Sequence, residues 1–346
     1  MNKQILYILL FVMLFSSPEI IAQKEPTDAE KKLDRLFRTE AILPIRMSYS
    51  NIDLRKIKSD TVYSKSILTY NEDGKWNDLD VEIRARGNFR RAKWYFVPIK
   101  LKIKKSNTKG TLFKNQKRLK LVVPCLISKD MNDNVIKEFL AYKIYEEVSN
   151  YNFKTRLVSL ELSEKRRKKT KEHTVKGILI EDDKNVAKRF NAKVVERSIH
   201  PLKQNDIASI QNAFFQYMIG NVDFSIAKLH NAKLLYIGKD VMPVPYDFDM
   251  NGFVNPSYET VSMNAKGSFL IDKITERKFR GLKRDLKLFE QVRQNFLKKE
   301  SVIMSLIQSY ESEFENKSEF IEAKNYIASF FEILSNDEKY KKEIVD

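Results

Sequence analysis

The chain has 346 residues, 42% hydrophobic and 32% charged, with a formal net charge of +17. That balance excludes an intrinsically disordered chain and leaves room for one large domain or two units sharing a cleft. One cysteine excludes an intrachain disulfide, and three histidines without an HExxH or CxxC motif exclude the common zinc sites. In chain order, the positive start Met1-Asn2-Lys3 leads into an apolar run from Ile5 to Phe15, broken by Ser16-Ser17-Pro18. Residues 1–22 therefore read as a secretory signal peptide, and the run is too short to span a bilayer comfortably. The mature chain is expected to be secreted or to reside in the periplasm or cell envelope, with no transmembrane segment after cleavage. Residues 23–38 read as a linker followed by a short charged helix.

From 39 to 181 the pattern is β-rich. Leu43 to Tyr49 alternates apolar and polar residues, Val62 to Tyr70 does so again, and Asn71-Glu-Asp-Gly74 supplies a turn. Asp80 to Arg86 puts Val81, Ile83 and Ala85 on one face; Val97 to Ile103 and Arg118 to Val123 continue the series, with basic residues outward. The expectation is an antiparallel sheet. Asn134 to Val148 has helical periodicity, with Val135, Phe139 and Tyr142 near one stripe. Strands follow at Thr155 to Leu162 and Thr174 to Ile180, joined by the basic stretch 164–171, which reads as a solvated hairpin tip. Cys125, in an apolar stretch, reads as a small buried hydrophobe. From 182 to 346 the chain turns helical, with a long helix over 204–219, two short strands at 232–237 and 241–244, and amphipathic helices from Asp285 onward. The class is α+β, and 181–184 is the natural hinge.

The residues that point to chemistry lie in the second half. Asp223 follows a helix that ends near Gly220, Asn231 precedes a strand, and Asp247 and Asp249 follow the next one. A helix, a polar loop, a hairpin and an acidic loop would bring Asp223, Asn231 and Asp247 together. Phosphoryl transfer needs such groups: a carboxylate to orient the attacking hydroxyl, and hard oxygen ligands to hold magnesium against the phosphates. The competing reading is ordinary loop chemistry, in which Asp and Asn bond their own backbone. The excess positive charge suits anionic partners without choosing among them.

Ile83-Arg-Ala-Arg-Gly-Asn88 followed by Pro98-Ile-Lys-Leu-Lys-Ile103 resembles a signature of the CotH family of secreted atypical kinases. The likeness continues through Asn134 to Lys143, Gly177-Ile-Leu-Ile-Glu-Asp182, Gly220-Asn-Val-Asp223 and Pro245-Tyr-Asp-Phe-Asp249, and so covers roughly 80–255 in order. The resemblance implies a two-lobed protein-kinase-like fold, with an antiparallel-sheet N-lobe, a mainly helical C-lobe and ATP with magnesium or manganese between them. Asp223 would match the catalytic aspartate and Asp247 the metal-binding one, with Asn231 and Asp249 at a second metal position. Lys100 or Lys102 would grip phosphate, with Lys120 on the next strand as a further candidate and Glu138 as a possible partner of the lysine. Arg84 and Arg86 could also contact phosphate, and Glu181 and Asp182 would lie where backbone groups meet adenine. The implied activity is transfer of the ATP γ-phosphoryl group to Ser or Thr of an exported protein. The chain departs from ordinary kinases in lacking a GxGxxG loop and a His-Arg pair before Asp223. Those departures leave open a catalytically inactive binding or scaffold protein of the cell envelope. A nucleic-acid role, suggested by charge alone, ranks last because export removes the chain from most nucleic acid.

Overall fold

A computed structural model describes residues 33–57, 59, 61–86, 94–127, 131–225, 227–257 and 271–346. The signal peptide over 1–22, most of the 23–38 linker, and Gly87 and Asn88 lie outside the described residues. Seven strands form a closed barrel: β1 (Leu43–Tyr49), β2 (Ser64–Glu72), β3 (Lys75–Ala85), β4 (Ile99–Lys102), β5 (Arg118–Val122), β6 (Thr155–Lys165) and β7 (Thr170–Ile180). Around the barrel the order is β1-β2-β3-β4-β5-β7-β6. Alternation drives this arrangement. Leu43, Ile45, Met47 and Tyr49 of β1 point inward between exposed neighbours, and Ile83, Leu101 and Leu119 face the same interior. Asp73 and Gly74, with φ of 53° and 82°, make the two-residue turn that pairs Glu72 with Lys75. The 3-10 turn Arg35–Phe37 adds Leu36 and Phe37 to the interior.

The closed barrel corrects the expected open antiparallel sheet, and with it the two-lobed protein-kinase-like fold. β1 runs parallel to β6, from Leu43 opposite Val158 to Tyr49 opposite Glu164, so the sheet is mixed and has no free edge. Alternation shows which side chains turn inward, but not which strand edges meet. Closing two distant edges satisfies their unpaired backbone groups, a gain that no local pattern displays.

α1 (Asn51–Lys56) closes a loop on the barrel, and α2 (Met131–Val148) packs on its outer wall. α2 was expected to bury one stripe but is buried nearly all round, Lys137 and Lys143 included, because barrel and helices enclose it. The remaining α-helices and strands are α3 (Asp183–Arg189), β8 (Lys193–Val195), α4 (Asp206–Met218), β9 (Ala232–Ile237), β10 (Asp240–Pro245), α5 (Leu286–Leu297), α6 (Glu300–Ser309), α7 (Lys317–Ser335) and α8 (Asp337–Tyr340). β10, β9 and β8 make a separate three-stranded sheet. The second core joins α2 and α4–α7 to the outer barrel residues Leu157, Ile178 and Ile180. Cys125 is buried, as expected. The stretch 164–171 is a hairpin tip with Lys165 and Arg167 to Lys171 exposed, as expected, and Glu164 buried at its base. Among the described residues no helix is long and apolar enough to cross a membrane.

Candidate functional site

The barrel carries a basic row on its outer face, and its Lys120 end meets the residues after β10. Arg84 pairs with Lys100, and Lys100 with Lys120, so the three side chains share the outer face. Arg86 continues that face one pleat beyond Arg84, fixed by its amide donating to the Pro98 carbonyl at 2.9 Å. Opposite stands Asp247, just past β10. Arg86 Nη2 donates to Asp247 Oδ1 at 3.3 Å, and both side chains are mostly buried.

Lys120 is the central cation of this cleft. Its ammonium lies 4.0 Å from the centre of the Tyr246 ring and 5.3 Å from that of Phe153. Burial pushes its pKa down to about 7, and the Arg86 charge adds to the fall, while Asp247 and Asp183 oppose it. Lys233 of β9 pairs with Asp183 at 3.3 Å. Burial alone would raise the Asp183 carboxyl, but Lys233 and then Lys120 bring it below its ordinary value.

Asp223 reaches the same loop cluster through Asn231. α4 ends in a left-handed Gly220 (φ 63°) at the position after the cap, where glycine carries no Cβ penalty. Asn221 Oδ1 then accepts from the Asp223 amide at 2.8 Å. Asn231 Nδ2 donates to the Asp223 carbonyl at 2.7 Å and to Asp223 Oδ2 at 3.2 Å, while His230 Nε2 lies 2.8 Å from Asp223 Oδ1. The Asn231 carbonyl accepts from the Tyr246 amide at 3.0 Å, which ties the Asp223 loop to the residue before Asp247. Asp247 is held by the Tyr142 hydroxyl of α2, which accepts from its amide at 2.8 Å. Leu229, Asn231 and Asp247 all have positive φ, at 53°, 52° and 68°. Such backbone is costly for Leu229 and less so for Asn and Asp, and the three meet in one loop cluster.

The other candidates fall as follows. The Lys100 charge offsets part of the rise that burial gives the Asp182 carboxyl, whereas Lys102 is drawn to Glu82 at 2.6 Å on the exposed barrel wall. Glu181 is buried against Arg189 at 2.9 Å, and Asp182 caps α3 by accepting from the Lys184 amide at 3.2 Å. Asp249 is buried beside Glu138 at a cavity of about 20 Å³ under the barrel. Asp183, His230 and Lys233 were not singled out from the sequence, and Tyr142 was read only as part of a core stripe. Lys120, directly opposite Lys100 in the register, is the lysine that lies against Tyr246.

No protein-family model and no curated protein matches this chain. The chemistry of the cleft is therefore the basis for assigning a role. Among the described residues no three His, Cys, Asp or Glu side chains group as a metal cage. Asp247 offers carboxylate oxygens, the hard donors that magnesium or manganese take, and Arg86 holds one of them.

Proposed function

We propose that the cleft binds a nucleoside triphosphate with a divalent cation and transfers its terminal phosphoryl group to a hydroxyl. The observation that carries this reading is the meeting of Arg86 and Lys120, from the barrel, with Asp247, from the loop after β10, beside the Asn231–Asp223 pair. Arg86 and Lys120 would hold phosphate oxygens. Asp247 would hold the cation, with Asn231 or Asp249 as further oxygen donors. Asp223 would orient the attacking hydroxyl, and His230 would position its carboxylate. A bound cation would draw Asp247 from Arg86 and so free that guanidinium for phosphate. The likeness of the ordered motifs to the CotH family supports the same assignment of Asp223 and Asp247. An exported protein is the fitting acceptor if residues 1–22 act as a signal peptide.

The test is a thermal-shift series with ATP plus magnesium or manganese, paired with transfer of labelled phosphate to added protein. A ligand of the native state raises the melting temperature by mass action. Asp247→Ala should abolish both the metal-dependent shift and the transfer; transfer that persists in this variant would sink the assignment. A second reading, binding without turnover, draws on the engagement of both Asp223 oxygens by His230 and Asn231. It predicts the thermal shift without phosphate transfer.

A further inference from the structure

We propose that the cavity beside Asp223, with the groove that continues from it, is the site for an extended acidic peptide carrying one apolar side chain next to its reacting hydroxyl. The role of this peptide as phosphoryl acceptor rests on the reading above; the pocket itself does not.

The cavity measures about 150 Å³ and lies between α4, the loop after Asp223 and the segment leading into α5. Its walls include Phe224 and Ser225, the two residues that follow Asp223, with Ala213 and Phe289 behind them. A space of roughly 150 Å³ with apolar walls takes one group about the size of benzene. Leucine or a small aromatic side chain fits that description. Ser209 also lines the cavity; it is 7% exposed, and its Oγ has no hydrogen-bond partner among the described residues. A buried hydroxyl of this kind favours an incoming ligand that brings a polar atom, as a peptide backbone does.

The sign of the partner's charge follows from the groove. A larger cavity of about 770 Å³ shares Gly281, Arg284 and Phe289 with the first. Arg277, Lys278, Lys283 and Lys342 line it, with Arg284 already paired to Asp206, against Glu276, Glu343 and Asp346. Arg277 is the most telling of these. Its guanidinium donates to the carbonyls of Met218 and Tyr326 and to Ser329 Oγ, and lies 3.9 Å from the centre of the Tyr326 ring. All those partners are neutral, so dipoles hold a partly buried charge that an approaching carboxylate would neutralise. Exposed Leu282 and Leu286 add apolar rim. A nucleobase carries polar atoms around its edge, whereas the slot offers apolar walls and few polar groups; the peptide is the better fit.

The test uses the purified protein and labelled peptides followed by fluorescence anisotropy. One peptide carries a serine with leucine beside it among aspartates; the second has glycine for leucine, and the third lysine for aspartate. The leucine peptide should bind about tenfold tighter than the glycine one, in line with burial of one apolar side chain. The lysine peptide should bind about tenfold or more weakly than its aspartate counterpart. Ser209→Leu fills the slot and should erase the leucine preference. Leu282→Asp alters only the exposed rim and should weaken acidic-peptide binding without changing the melting temperature. Equal affinity for the leucine and glycine peptides, a leucine preference that survives Ser209→Leu in a folded variant, or displacement of the peptide by an oligodeoxynucleotide of matched charge would overturn the proposal. ATP binding in the same samples reports on the phosphoryl-transfer reading separately. Peptide discrimination without ATP binding removes that reading and supports the pocket; ATP binding without discrimination removes the pocket alone.

Discussion

Replacing Lys120 by methionine should stabilise the protein and weaken nucleotide binding at the same time. Methionine keeps an unbranched stem against Tyr246 and Phe153 and discards the charge. Burial and the Arg86 guanidinium hold the lysine at about 7 instead of its ordinary 10.5. At about 1.4 kcal/mol for each pKa unit, the folded state bears a cost of at most roughly 5 kcal/mol for keeping this ammonium charged. Part of the side chain reaches solvent, and the ring contact at 4.0 Å is lost with the charge, so the net gain should be about 1–3 kcal/mol. The pH dependence has a definite sign. Between about 7 and 10.5 the unfolded chain binds the proton and the folded one sheds it, so this lysine makes stability rise with pH over that interval. Urea unfolding in a buffer with chelator, at several pH values in this range, measures both effects. The variant should start higher and lose the lysine's share of the slope. Its affinity for ATP with magnesium should fall about 10- to 100-fold, the weight of one charge-assisted phosphate contact. A variant that is less stable and keeps the wild-type slope would refute the account of a desolvated lysine. Unchanged ATP affinity would refute its phosphate role.

Asp223→Asn should lower phosphate transfer by about 10²- to 10⁴-fold while leaving the nucleotide dissociation constant within about threefold, as read by single-turnover kinetics and titration. Glu164→Gln probes the barrel rim. Burial pushes the Glu164 carboxyl up, but hydrogen bonds from Tyr95, Arg166, His173 and Asn51 outweigh it and hold the value at about 2. Its folded value lies below its ordinary 4.5, so its contribution is full above 4.5 and disappears as the pH falls toward 2. Allowing for solvent screening near the rim, the glutamine variant should lose about 1–2 kcal/mol at neutral pH and unfold less steeply in acid, measured by circular dichroism. Gly177→Ala would place a Cβ 2.9 Å from the Val122 carbonyl oxygen and 3.0 Å from Val158 Cγ2. It should cost about 1–3 kcal/mol, read as a lower urea midpoint with an unchanged slope.

Much of the local structure was legible in the chain. Alternation at Leu43–Tyr49 and Val81–Ala85 marked inward faces, Asn71–Gly74 marked the hairpin, and the end of a helix near Gly220 placed Asp223 on a loop. These features depend on neighbours within a few residues, where periodicity and turn chemistry act directly. Closure of the barrel was not legible, because the pairing of β1 with β6 joins edges that are distant in sequence. The same limit explains the lysine. Lys100, Lys102 and Lys120 look alike along the chain, yet Lys102 pairs with Glu82 on the open wall and Lys120 is enclosed beside Tyr246.

Residue types and their spacing alone determined that this protein would have a β-rich first half, a helical second half and oxygen-rich loops at 223 and 247. Only the tertiary structure decided that the sheet closes, that Arg86 meets Asp247, and which lysine loses its solvent. Strand register and burial are set by contacts between distant segments, and the energy of a charge depends on those surroundings far more than on its immediate sequence.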